Sequence, residues 1–88
     1  MTQNYKVVIY TSSLCGFCYR AKSLLKNKNI TFDEIDIDLE YEKKKEMINR
    51  SKGKTTVPQI FFGDIHIGGY DDLLKLDRAN KLEDLLLT

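Results

Sequence analysis

Cys15 and Cys18, separated by Gly16 and Phe17, are the only two cysteines of this sequence. Thiols at this spacing either exchange two electrons for a disulfide or form half of a zinc site. On a helix, residues three apart share a face with Cα atoms about 5 Å apart, a separation that a disulfide accepts. The pair can therefore open and close with little backbone movement. A bridge closing so small a loop removes little entropy from the unfolded chain, so it is a poor staple. Small secreted domains held by disulfides usually carry four or more widely spaced cysteines, so this pair points instead to redox chemistry in a reducing compartment. Zinc needs two further ligands, yet the chain offers no third Cys and a single His, His66.

The elements that must position these thiols follow from the apolar pattern. Lys6-Val7-Val8-Ile9-Tyr10 lacks clean alternation and suits a central strand buried on both faces. Phe17, Ala21, Leu24 and Leu25 then fall at i, i+4, i+7 and i+8, an amphipathic helix ending near Asn27 to Asn29. Cys15 lies where the strand's loop meets that helix, so unpaired backbone N–H groups and the positive end of the macrodipole favour its thiolate, the species that attacks disulfides. Cys18, one turn inward, is expected to be less exposed.

Ile30, Phe32, Ile35 and Ile37 mark a second strand. Six acids between Asp33 and Glu42, then Lys43-Lys44-Lys45, read as a solvated helix capped by Asp38, with Met47 and Ile48 turned inward. Ser51-Lys52-Gly53-Lys54 ends it. Residues 57–62 and Ile65-His66-Ile67, joined at Gly63-Asp64, read as an antiparallel hairpin, broken at Gly68-Gly69. Asp71 or Asp72 then begins a Leu-rich helix from Leu73 to Leu86, with a possible interruption at residues 77–80. His66 reads as a structural or solvated side chain, and Tyr10, Phe32, Phe61 and Phe62 as core or sheet-face residues.

The order β-α-β-α-β-β-α predicts an α/β fold: a right-handed parallel crossover plus a hairpin, giving one mixed four-stranded sheet flanked by helices, a thioredoxin-like layout. Eighty-eight residues at 42% hydrophobic and 31% charged fit one domain over residues 1–88, with room for surface chemistry but no deep cleft. A formal charge of +1 shows no footprint of nucleic-acid or anionic-membrane binding. Neither a signal peptide nor a membrane span is read, and a cytoplasmic monomer is expected.

Three blocks taken together, Cys15-Gly16-Phe17-Cys18-Tyr19-Arg20-Ala21-Lys22, Thr56-Val57-Pro58-Gln59-Ile60-Phe61 and Gly68-Gly69-Tyr70-Asp71-Asp72, resemble those of a glutaredoxin. The resemblance spans essentially the whole chain and is nearest to the short bacterial dithiol glutaredoxins. Thioredoxins, with their Trp-Cys-Gly-Pro-Cys, match poorly, since this chain has no Trp and Leu14 precedes Cys15.

The resemblance implies a glutathione-dependent thiol–disulfide oxidoreductase in which Cys15 is the nucleophile and Cys18 resolves the mixed disulfide. Its partners would be glutathione, disulfide-containing proteins and glutathionylated proteins. It further implies a cis Val57-Pro58 peptide facing the cysteines. Phe17, Thr56, Val57 and Pro58 would line the glutathione site. The Val57 backbone would pair with the cysteinyl part of glutathione. Gly69, Tyr70, Asp71 and Asp72 would hold the γ-glutamyl end, and Arg50, Lys52 or Lys54 the glycyl carboxylate.

Two features depart from the family pattern. Ser12 stands where many glutaredoxins carry Lys, removing one cation near Cys15. Gly16-Phe17 replaces the common Pro-Tyr, and Gly-Phe also occurs in monothiol relatives that share an iron–sulfur cluster across a dimer. The alternative reading is thus a [2Fe-2S] carrier ligated by Cys15 and glutathione from each of two subunits, against which Cys18 offers a competing disulfide.

Overall fold

A computed structural model describes residues 3–87. The elements run β1 (Val7–Thr11), α1 (Gly16–Asn27), β2 (Asp33–Asp36), α2 (Tyr41–Arg50), β3 (Gln59–Phe62), β4 (Ile65–Gly68), α3 (Tyr70–Arg78) and α4 (Leu82–Leu87). The sheet order is β2-β1-β3-β4. β1 pairs in parallel with β2 and antiparallel with β3, and β3 pairs antiparallel with β4, which is the mixed, thioredoxin-like sheet expected. No helix among the described residues is long and apolar enough to cross a membrane.

Both sheet faces carry apolar side chains, as the unalternating Val7 to Tyr10 run implies. Val7, Ile9, Ile60 and Phe62 point to one face, where they pack with Ala21, Leu25, Leu73, Leu82 and Leu86. Tyr10 and Phe61 point to the other and pack with Ile37 and Met47. The helices are therefore divided, with α1, α3 and α4 on one side and α2 on the other.

On the α2 face, Arg50 is drawn inward. Its guanidinium lies 4.1 Å from the Phe61 ring centre and donates to the Tyr10 hydroxyl and the Gly63 carbonyl, each at 3.0 Å. The Tyr10 hydroxyl in turn donates to Glu46 at 2.8 Å. Burial raises the Tyr10 pKa, opposed by Arg50 and reinforced by Glu46.

Four expectations change. The Leu-rich tail is two helices rather than one, so the order is β-α-β-α-β-β-α-α; the interruption read at residues 77–80 is present and falls at residues 79–81. At 100° per residue, one continuous helix would set Leu82 and Leu86 roughly opposite Leu73. The break, with Asn80 at φ 57°, re-aims all three into the same core. Glu40, not Asp38, precedes α2, because the Asp38 carboxylate accepts the Ser13 N–H at 2.9 Å and ties the β2–α2 loop to the loop before Cys15. The second strand is only Asp33–Asp36, leaving Ile30, Phe32 and Ile37 outside it in the flanking segments. Finally, α3 begins at Tyr70 after Gly69, so neither Asp71 nor Asp72 is its N-cap.

Candidate active site

Cys15 is the N-cap of α1, in extended conformation at φ −112°. That position belongs to the side-chain acceptor of the first-turn N–H groups, usually an oxygen. Here the acceptor is sulfur: the Cys18 N–H donates to Cys15 Sγ at 3.1 Å. Such an N–H, with the helix dipole behind it, stabilises negative charge on that sulfur. Leu14, at φ 58° and fully exposed, turns the chain into this cap.

Cys15 and Cys18 are joined as a disulfide with Cα atoms 5.2 Å apart, the separation their spacing predicts. Cys18 is 2% exposed whereas Cys15 is half-buried, so an incoming reagent meets Cys15 first.

The Val57-Pro58 peptide is cis, as expected. The Val57 carbonyl oxygen lies 3.9 Å from Cys15 Sγ. This proximity follows from register. β1 and β3 are antiparallel with Tyr10 opposite Gln59, so the chain leaving β1 and the chain entering β3 meet at one end of the sheet.

From there a groove of about 450 Å³ runs along Thr56, Val57 and Pro58 to Gly69, Tyr70 and Asp72, with Phe17 and Lys54 on its walls. Phe17 is stacked on Tyr70, with ring centres 6.1 Å apart, and so joins the first turns of α1 and α3. All eight residues expected to line the ligand site border this groove, among them Asp71. Of the three candidate cations only Lys54 does so, since Arg50 is spent on Tyr10, Phe61 and Gly63.

Among the groove residues to which the sequence gives no ligand role are two polar ones, Gln59 and His66. The His66 Nε2 lies 2.7 Å from Gln59 Oε1, and its ring stacks on Phe61 with centres 4.8 Å apart. Asp72 Oδ2 accepts the Gly69 N–H at 3.0 Å, fixing the entry to α3.

Burial lowers the His66 pKa below its ordinary 6.5, and Lys54, Arg50 and Lys52 add to this while Asp72 opposes it. The neutral ring is thereby favoured. Because the folded-state pKa is the lower one, the unfolded chain binds the extra proton. The associated stability is complete above pH 6.5 and falls as pH drops through the folded value. We expect the His66 ring resonances to titrate with a midpoint below 6.5 and the His66→Gln variant to lose that step from its stability profile. A midpoint at or above 6.5 would contradict this environment.

A half-buried disulfide at the start of a helix, facing a cis-proline loop at the end of a mixed sheet, defines a thiol–disulfide oxidoreductase site on a thioredoxin-like fold. The glutaredoxin family model matches residues 7–67. Glutaredoxin 3 of Escherichia coli K12 is 52% identical over 80 residues, covering 91% of this chain and 95% of the relative. The solution structure of glutaredoxin from Brucella melitensis superposes with a TM-score of 0.82 at 45% identity, over 97% of this chain and 91% of that one. The crystal structure of a buckwheat glutaredoxin–glutathione complex gives 0.83 at 29% identity, over 93% and 76%. This chain belongs to the glutaredoxin family, and its general activity is thiol–disulfide exchange.

Proposed function

We propose that this protein is a glutathione-dependent oxidoreductase that reduces protein disulfides and protein–glutathione mixed disulfides. The observation that carries this reading is the groove lined by Thr56, Val57, Pro58 and the first turn of α3, whose Val57 carbonyl lies 3.9 Å from Cys15 Sγ. Its volume of about 450 Å³ suits a tripeptide thiol. Its lining carries both signs of charge, as glutathione requires, with Lys54 and the exposed Asp71 beside the α3 N-terminus.

The cysteinyl N–H and C=O of glutathione would pair with the Val57 backbone as an added strand does. The γ-glutamyl carboxylate would take the unpaired N–H groups of Tyr70, Asp71 and Asp72, and the Asp71 carboxylate would meet the ammonium. Lys54 would meet the glycyl carboxylate.

The chemistry balances in two exchanges. The Cys15 thiolate attacks the glutathione sulfur of a mixed disulfide, a new Cys15–glutathione S–S bond forms, and the protein thiolate leaves and takes a proton. A second glutathione thiolate then attacks that glutathione sulfur, releasing glutathione disulfide and the Cys15 thiolate. For a substrate with an internal disulfide, Cys18 attacks Cys15 Sγ instead and expels the substrate. The Cys15–Cys18 disulfide that results is reduced by two glutathiones.

A coupled assay with glutathione, glutathione reductase and NADPH, run beside one with thioredoxin reductase, tests the reading. Turnover only in the second would sink it. Lys54→Glu should raise the KM for glutathione roughly tenfold while leaving kcat within about twofold, because it reverses one charge on the groove wall. An unchanged KM would remove Lys54 from the carboxylate site. The cluster-carrier reading is tested separately by anaerobic reconstitution with iron, sulfide and glutathione, where a colourless monomer would sink it.

A further inference from the structure

Thr56 and Val57 stand outside the sheet ladder, which ends at Tyr10 opposite Gln59, yet they must present their backbone to whatever Cys15 attacks. The side chain bonded to this segment is Gln59, through Thr56. Its Nε2 donates to the Thr56 carbonyl at 3.1 Å and to Thr56 Oγ1 at 3.3 Å. A carbonyl oxygen only accepts, so the amide nitrogen of Gln59 faces Thr56 and its Oε1 faces away. That oxygen meets His66 Nε2 at 2.7 Å, and an amide oxygen also only accepts, so the hydrogen sits on Nε2.

Every donor direction along the series His66, Gln59, Thr56 is thereby fixed by the chain itself. The series is anchored at its far end by the stacking of His66 on Phe61, which is in turn stacked with Arg50 of α2. Gln59 is 4% exposed, so water cannot readily replace either partner.

We propose that Gln59 and His66 are positioning residues for the exchange reaction: their hydrogen-bonded series holds the Thr56–Val57 backbone in the orientation that receives the thiol substrate beside Cys15. This rests on the glutathione-dependent reading above for its substrate, although the positioning itself exists in the free protein. Neither residue touches the reacting sulfurs. Their loss should weaken ground-state and transition-state binding alike and so raise KM more than it lowers kcat.

The test uses three variants of the whole chain. His66→Leu removes the donor to Gln59. His66→Gln restores an N–H at a similar reach without the ring. Gln59→Glu keeps an acceptor for His66 but cannot donate to Thr56. Three readouts are taken for each: KM and kcat with a glutathionylated peptide, the Val57 amide resonance in the free protein, and alkylation of Cys15 by iodoacetamide at pH 7.

We expect His66→Leu and Gln59→Glu to raise KM about tenfold with kcat within about twofold, to shift the Val57 amide, and to leave alkylation within about twofold. His66→Gln should restore KM and the Val57 resonance. It lacks the ring just as His66→Leu does, so ring effects on the resonance cancel between the two. Equal loss in His66→Gln and His66→Leu would overturn the proposal by assigning the effect to ring packing. Wild-type Val57 resonance and KM in His66→Leu would overturn it outright. Absence of glutathione turnover in the wild type would refute the proposed function instead, with the Val57 resonance still deciding the positioning.

Discussion

Replacing Cys15 by Ser is expected to lower glutathione-linked disulfide reduction by more than about a thousandfold, because a hydroxyl is neither ionised at neutral pH nor a partner for sulfur exchange. Cys18→Ser should behave differently. It keeps the N-cap sulfur at Cys15 and the backbone N–H of residue 18 that points at it. Reduction of glutathionylated peptide, which needs one thiol of the enzyme, should stay within a few-fold of wild type. Reduction of a protein's internal disulfide, for which the second thiol expels the substrate, should be lost. NADPH consumption with the two substrates reads both outcomes. Turnover retained in Cys15→Ser and lost in Cys18→Ser would reverse the two roles.

The second large effect is expected from Gly68→Ala. Gly68 has φ +117°, a conformation that L side chains rarely adopt, and an added Cβ would run into the Asp72 carboxylate. Asp72 cannot step aside without releasing the Gly69 N–H that it accepts at the start of α3. Backbone strain and a lost cap together should cost about 2–3 kcal/mol. In a domain of this size that lowers the midpoint of thermal unfolding by roughly 10–20 °C. The same shift disturbs the groove wall at Tyr70 and Asp71, so the KM for glutathione should rise as well. A variant melting within about 2 °C of wild type would show that the Gly68–Asp72 approach relaxes freely. By contrast, a Cβ at Gly16 would meet no atom within 4 Å, so Gly16→Ala serves as the matched control.

Most of the fold and the centre of the site are legible in the sequence because each rests on a local pattern. The helix phase of Phe17, Ala21, Leu24 and Leu25, the cysteine spacing, and the apolar runs of β1 and β3 each specify their element with little help from the rest. What the sequence hides is set by partners distant along the chain. Asp38 looks like a cap for α2, but the parallel pairing of β1 and β2 brings Ser13 within reach, and that N–H takes the carboxylate. Arg50 looks like a free cation, yet the packing of α2 over the sheet offers it Tyr10, Phe61 and the Gly63 carbonyl.

His66 reads as a solvated or structural side chain for the same reason. Only the β3–β4 register, with Phe61 opposite His66, makes Gln59 its diagonal neighbour. The one signal available beforehand is Gln59 itself, a polar residue inside the apolar run from Val57 to Phe62, which must find hydrogen-bond partners if buried.

The register of β1 against β3 has a further consequence for how the protein tolerates change. Val7 opposite Phe62 and Tyr10 opposite Gln59 give the two central strands a reactive pole and an inert pole. Cys15, Val57 and the groove gather at the first, while the exposed Asp64 turn lies at the second, a full strand length away. A fluorophore, a tether or a fused domain attached at Asp64 would leave the mouth of the groove unobstructed, making that turn the natural handle by which to immobilise or label a working enzyme.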